Sequence, residues 1–118
     1  MLMNNRRVGA SYEELAARYL TMNGYNIVER NFRCRIGEID LIGWDGAYLC
    51  FIEVKYRSGT GKGHPAEAIT YRKIRRICKT AQFYMLMRKI PQDTPCRFDV
   101  ALILENEITL IKNAFGGL

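Results

Sequence analysis

Gly37-Glu38-Ile39-Asp40-Leu41-Ile42-Gly43-Trp44-Asp45-Gly46-Ala47-Tyr48-Leu49-Cys50-Phe51-Ile52-Glu53-Val54-Lys55-Tyr56 reads as two apolar runs folded back on each other. Asp-Gly between alternating hydrophobics is a strong two-residue hairpin signal, so strands are predicted over residues 36–44 and 47–56. With Asp45-Gly46 as the loop, Trp44 pairs with Ala47, Asp40 with Phe51, Glu38 with Glu53 and Ile36 with Lys55. Opposed residues share a face and side chains alternate, so Glu38, Asp40, Glu53 and Lys55 project together. Ile39, Leu41, Tyr48, Cys50, Ile52, Val54 and Tyr56 take the other face as a packing surface.

Three carboxylates on one sheet face repel one another, and like charges directly opposed destabilise a sheet. A solvated edge tolerates them; a bound divalent cation removes the repulsion. Oxygen ligands without thiolate or imidazole favour magnesium or manganese over zinc. Asp40 and Glu53 are the candidate metal ligands. Lys55 shares their face and is the candidate for neutralising charge on a phosphate. Its plainer role is a salt bridge to Glu38 or Glu53.

Outward from the hairpin, helical spacing of Leu15, Ala16, Tyr19 and Leu20 predicts a helix over residues 9–23, with Ser11 as N-cap or first-turn residue and Gly24 as its stop. A strand follows over 25–33. After the hairpin, residues 57–63 read as a mobile loop, and Pro65 suits the first turn of a long helix over 66–88. Strands over 98–104 and 108–111 close the chain through Glu105-Asn106-Glu107. The order α-β-β-β-α-β-β indicates an α/β domain with a mixed central sheet flanked by helices. Residues 1–118 read as a single domain, with 1–8 and 115–118 flexible.

Eighteen basic against twelve acidic residues give a net charge of +6, which favours polyanionic partners. No apolar run is long enough to cross a bilayer, so no membrane partner is expected, and the N-terminus lacks the apolar region of a secretory signal. Cys34, Cys50, Cys78 and Cys96 lack zinc-site spacing. They read as reduced thiols of a cytoplasmic protein, Cys50 and Cys78 packed as small hydrophobes. On the long helix Arg72, Arg75, Arg76 and Lys79 fall at i, i+3, i+4 and i+7. This basic stripe lies opposite Ile69, Ile74, Ile77, Cys78, Ala81 and Met85. Lys73 borders the apolar side, and Arg33, Arg35 and Arg57 flank the acidic strands. All eight cations are candidate nucleic-acid contacts. No motif for reading bases is present.

These residues resemble the PD-(D/E)xK nucleases of the restriction-endonuclease-like fold. More closely, the chain resembles the YraN family of predicted endonucleases, which is similar to archaeal Holliday-junction resolvases. The likeness is carried by Gly9, Glu13 and Ala16, then Gly24-Tyr25, Arg30-Asn31-Phe32-Arg33 and Gly37-Glu38-Ile39-Asp40-Leu41-Ile42. It continues through Phe51-Ile52-Glu53-Val54-Lys55-Tyr56-Arg57, Lys73, Arg97-Phe98-Asp99-Val100 and Asn113-Ala114-Phe115. One departure is Ile39, where the superfamily pattern has proline. The resemblance implies metal binding by Asp40 and Glu53, a catalytic Lys55 and a supporting acid at Glu13. A glutamate in the first turn of a helix also satisfies the helix dipole, which explains Glu13 about as well. The expected activity is magnesium- or manganese-dependent cleavage of DNA, including branched or junction DNA. The alternatives are a nucleic-acid-binding module without turnover and a structural protein that its charges only solubilise. A homodimer is left open.

Overall fold

Helix α1 (Asn5–Met22) places Ala16, Ala17 and Leu20 at zero exposure, the spacing of one buried helical stripe. It stops at Gly24, whose φ of +93° an L residue rarely adopts. There the Gly24 N–H donates to the Thr21 carbonyl at 3.2 Å and the Tyr25 N–H to that of Leu20 at 3.0 Å, closing the last turn as a Schellman motif. The computed structural model describes residues 5–57 and 70–115, with residues 5–10 as backbone only. Two expectations at the N-terminus are corrected. The helix begins at Asn5, so Ser11 lies in its second turn and is no cap, and residues 5–8 are helical.

The remaining elements are β1 (Asn26–Arg33), β2 (Glu38–Asp45), β3 (Tyr48–Arg57), α2 (Tyr71–Met87), β4 (Cys96–Leu104) and β5 (Glu107–Ile111). This is the expected order of a mixed α/β fold. The five strands form one sheet in chain order. Only β3 and β4 run parallel, because the connection through α2 carries the chain back to the starting edge. The hairpin register differs from the expected one by two residues. Asp45 pairs with Tyr48 and Trp44 with Leu49, leaving Gly46-Ala47 as the loop. Gly46 alone takes a positive φ there, +61°, which matches the II′ turn with glycine first; an Asp-Gly loop of type I′ needs positive φ at both positions.

A shift of two preserves which residues share a face, but both faces turn out to be packed. On one, α2 lays Ile77, Ala81, Tyr84 and Met85 over Phe32, Ile42, Leu49, Phe51 and Phe98. On the other, α1 covers Tyr25, Leu41, Cys50, Ile52 and Ala101. Ile39 belongs to the α2 side, not with Leu41 as strict alternation requires, and Tyr48 is 46% exposed. The strand turns between residues 39 and 41. A second irregularity lies between Ile27 and Glu29, where the β1–β2 register shifts. Gly43 faces it: a Cβ there would lie 2.7 Å from the Asn26 carbonyl oxygen. Gly43→Ala should therefore lose about 1–3 kcal/mol, read as a lower urea midpoint at unchanged slope. An unchanged midpoint would show that β1 yields freely.

Helix α2 is shorter than the expected 66–88. Thr70 is extended (φ −80°, ψ 159°) and its hydroxyl accepts the Lys73 N–H, the geometry of an N-cap. Arg88 is the C-cap. The expected loop over 57–63 lies outside the described residues except for Arg57, as do Pro65 and Ile69. The C-terminal expectation also changes. Phe115 stacks on Phe98 with ring centroids 5.1 Å apart; residues 116–118 lie outside the described residues. The four cysteines are free thiols. Burial pushes the Cys50 thiol up to about 12, which keeps it protonated and unreactive. No helix among the described residues is long and apolar enough to cross a membrane.

Candidate active site

The site is built around the place where β2 leaves regular pairing. Its ladder with β3 ends at Leu41–Ile52. On β1, the residue between the pairs Arg30–Leu41 and Phe32–Ile39 is Asn31, held in the left-handed region at φ 52°, which asparagine tolerates better than most residues. Asp40 occupies the matching gap in β2. Its Oδ2 accepts the Val54 N–H at 2.8 Å, the donor that continued pairing with β2 would engage through a carbonyl. The break that turns Ile39 to the other face is the break that fixes the Asp40 carboxylate between two strands.

That position raises the Asp40 pKa to about 6. Burial is the main cause, the Val54 N–H opposes it, and the carboxylates of Glu13, Glu53 and Glu38 add to it. Four acids are thus electrostatically joined around Asp40. Glu13 lies in the third turn of α1, since the helix starts at Asn5. A dipole effect confined to the first turn no longer accounts for it.

Glu53 is enclosed, its side chain 15% exposed. Its Oε1 receives two ammonium groups, Lys73 Nζ at 2.6 Å and Lys55 Nζ at 3.2 Å. Its Oε2 is buried without a hydrogen-bond partner. Burial and the neighbouring Lys73 lower the Lys55 pKa against the pull of Glu53. Burial works against charge on Lys73 as well, but the hydrogen bond to Glu53 and the charges of Glu53 and Asp40 help to outweigh it and the pKa rises. Lys73 comes from the first turn of α2, so the site joins the sheet to that helix.

An open cavity of about 460 Å³ lies over these groups, lined among others by Gly37, Asp40, Glu53, Lys73, Arg76 and Phe115. Gly37 is there because α2 crosses it closely: a Cβ would meet Arg76 Cγ and Thr80 Oγ1 at 3.0 Å. Glu38 sits at the rim, paired with Arg33 at 3.1 Å rather than opposed to Glu53. Lys55 reaches Glu53 without lining the cavity. Arg72 and Arg76 line it. Arg75 and Lys79 border a second hollow beside it. Arg35 and Arg57 are exposed, and Arg57 donates to the Tyr56 carbonyl at 2.8 Å.

The groups that could hold a divalent cation are Glu53 Oε2, a buried oxygen without a hydrogen-bond partner, and the Asp40 carboxylate. Among the described residues no group of three or more His, Cys, Asp or Glu gathers as a ready-made cage. Two carboxylates suit magnesium, which keeps several of its waters, better than a metal needing a full protein cage.

Sequence reading did not find the second polar centre, at the hairpin end of the sheet. Asp99 is 1% exposed and binds Arg97, Tyr25 and the Asn113 N–H. Arg97 also reaches Asp45 at 2.7 Å. Nothing in Arg97-x-Asp99 announces this until β4 is placed beside β3. The network fixes residues 113–115, and so sets Phe115 at the cavity.

Over most of its length the chain is similar to a known group of sequences. The chain belongs to the uncharacterised protein family UPF0102, whose pattern matches residues 12–103. It is 53% identical over 113 residues to a UPF0102 protein of Lachnoclostridium phytofermentans, covering 96% of both chains. A UPF0102 protein of Clostridium kluyveri is 47% identical over 117 residues, with 94% of this chain and 95% of that one covered. One of Persephonella marina is 48% identical over 107 residues, 91% of each.

Proposed function

We propose that this protein is a metal-dependent phosphodiesterase that cuts DNA in the cytoplasm, with branched or junction DNA among its substrates. The observation that carries the reading is Glu53 Oε2, a buried carboxylate oxygen without a partner, beside a cavity that Asp40 also lines. Burying an unsatisfied charged oxygen is costly, and a cation gives it a use. Asp40 and Glu53 would hold magnesium or manganese, which supplies Lewis-acid stabilisation of charge on a phosphate. Lys55 holds Glu53 in place and adds positive charge near a phosphoryl group in a water-poor site. Arg72 and Arg76 draw the DNA backbone toward the cavity. Burial first, and then the Glu13 carboxylate beside it, raise the affinity of Asp40 for positive charge, so Glu13 would support Asp40 in holding a cation without touching it.

The second reading, a nucleic-acid-binding module of the same fold without turnover, is favoured by one observation. Lys55 and Lys73 already satisfy Glu53 Oε1, so protein cations hold part of the place a metal needs. The deciding experiment offers the purified protein linear, single-stranded, flapped and four-way DNA, with magnesium, manganese or chelator. Metal-dependent cutting is expected, and Lys55→Ala should slow it by roughly 10²–10³-fold while calorimetry still detects cation binding. Binding of DNA with no cutting of any form, and no heat from either cation, would decide for the binding module.

A further inference from the structure

The second hollow, about 450 Å³, is lined by Ile36, Tyr71, Arg72, Arg75, Arg76 and Lys79. Two of these, Arg72 and Arg76, also line the cavity over Asp40 and Glu53, so the hollows adjoin along one side of α2. Elsewhere on the surface Arg18, Arg30, Arg33, Arg88 and Lys112 each meet a carboxylate, while the exposed Arg35, Arg57 and Lys89 stand singly rather than in a cluster. Among the described residues none of Arg72, Arg75, Arg76 and Lys79 has an acidic partner. Solubility alone does not require four unmatched cations in one hollow.

The apolar members of the hollow narrow its occupant. Tyr71 is 74% exposed and Ile36 39%, and the Arg75 guanidinium lies 5.9 Å from the Tyr71 ring centroid. A duplex shows a protein such as this mainly its phosphates, which an exposed tyrosine meets only through its hydroxyl and an isoleucine not at all; neither apolar surface is used. A single strand shows phosphates and base faces together, and cations interleaved with an aromatic platform suit both. The carboxylates are also recessed: Glu53 is mostly covered and Asp40 sits between strands. A flexible strand bends into such a recess, whereas a duplex is stiff over tens of base pairs and costs free energy to bend.

Resting on the nuclease reading, we infer that this hollow is the entry track for a single nucleic-acid strand. Its phosphates follow Arg72, Arg75, Arg76 and Lys79, a base stacks on Tyr71, and the strand continues past Arg72 and Arg76 toward Asp40 and Glu53. The substrate class is then DNA with a single-stranded stretch, such as a flap, gap or frayed junction arm.

The test is a fluorescence-anisotropy titration of the full chain in chelator. The probes are an oligodeoxythymidylate of roughly a dozen nucleotides and a blunt duplex of equal length. The strand should bind at least about tenfold more tightly than the duplex. Tyr71→Ala should weaken strand binding by roughly five- to a hundredfold, the span of one lost base stack, and Tyr71→Phe should restore it. Duplex affinity should not change in either variant. Tyr71 is largely exposed, so both variants should melt like wild type. Equal affinity for the two probes, or an unaltered strand affinity in Tyr71→Ala, overturns the inference. Cutting of duplex or junction DNA in that case leaves the nuclease reading intact. Failure to bind or cut any form removes both.

Discussion

Replacing Asp99 by alanine is expected to lower the free energy of unfolding by roughly 3 kcal/mol, seen as a lower urea midpoint at unchanged slope. Oδ1 of this carboxylate accepts from Arg97 Nε and the Asn113 N–H, both at 2.9 Å. Its Oδ2 accepts from the Tyr25 hydroxyl at 2.8 Å and Arg97 Nη2 at 2.9 Å. Burial, and then the Asp99 carboxylate, hold the Tyr25 phenol far above its usual range, so it stays a donor. Removing Asp99 leaves the Arg97 guanidinium, 13% exposed, with one ionic partner, Asp45. That survivor keeps the expected loss at the low end of what breaking a buried pair costs. Asp99→Ala with Arg97→Met should recover part of the stability, because the stranded charge is then gone and Asp45 retains Lys112. A loss below about 1 kcal/mol in the single variant would mean that Asp45 and water replace Asp99 fully. Hydrogen exchange gives a second reading: the Asn113 and Ala114 amides, held by Asp99 and Phe98, should lose protection before the central strands do.

The hairpin separates what was legible in the sequence from what was not. Period-two alternation places Asp40, Glu53 and Lys55 in one set under either register, because a shift of two residues leaves parity unchanged. The cross-strand partners are decided by the turn, where a glycine at the first loop position outweighed the Asp-Gly dipeptide. The break at Asp40 left no periodic signal, since Ile39 and Leu41 are equally apolar and only the packing of α2 and α1 assigns them to different faces. Lys73 was readable: it precedes Ile77, Thr80 and Tyr84 on one stripe, so its ammonium had to leave the core at the helix start. Glu13 was marked by the family resemblance, and the position of Asn5 as the helix start removed the competing dipole explanation. Arg97 and Asp99 lie on β4, a strand buried on both faces. Their meaning depends on Tyr25, Asp45 and Asn113, which are far away in sequence and meet only in the folded sheet.

Asp40→Asn should raise stability at pH 8 in chelator while abolishing metal-dependent cutting. An aspartate raised from 3.8 to about 6 keeps its proton in the folded protein where the unfolded chain has lost it. The folded state binds more protons between those values, so stability falls as pH rises through that window. Above it the full penalty is present, up to about 3 kcal/mol for a shift of this size. Asparagine carries no charge, and its carbonyl oxygen can still accept the Val54 N–H. The variant should therefore be the more stable protein at pH 8, and most of the gap should close by pH 4, where folded Asp40 holds its proton and the unfolded chain has regained part of it. Magnesium should reverse the order at pH 8, because a ligand that binds only the folded protein adds stability as the logarithm of one plus its concentration over its Kd. The variant, lacking one anionic ligand, gains less. Urea titrations at pH 4 and 8, with chelator and with magnesium, measure all four cases. If the variant is more stable at pH 8 and magnesium stabilises neither protein, Asp40 is a destabilised carboxylate that serves no ion, and the metal leaves the mechanism. If pH does not alter the difference between the two proteins, Asp40 is not the buried, raised acid on which the site is built.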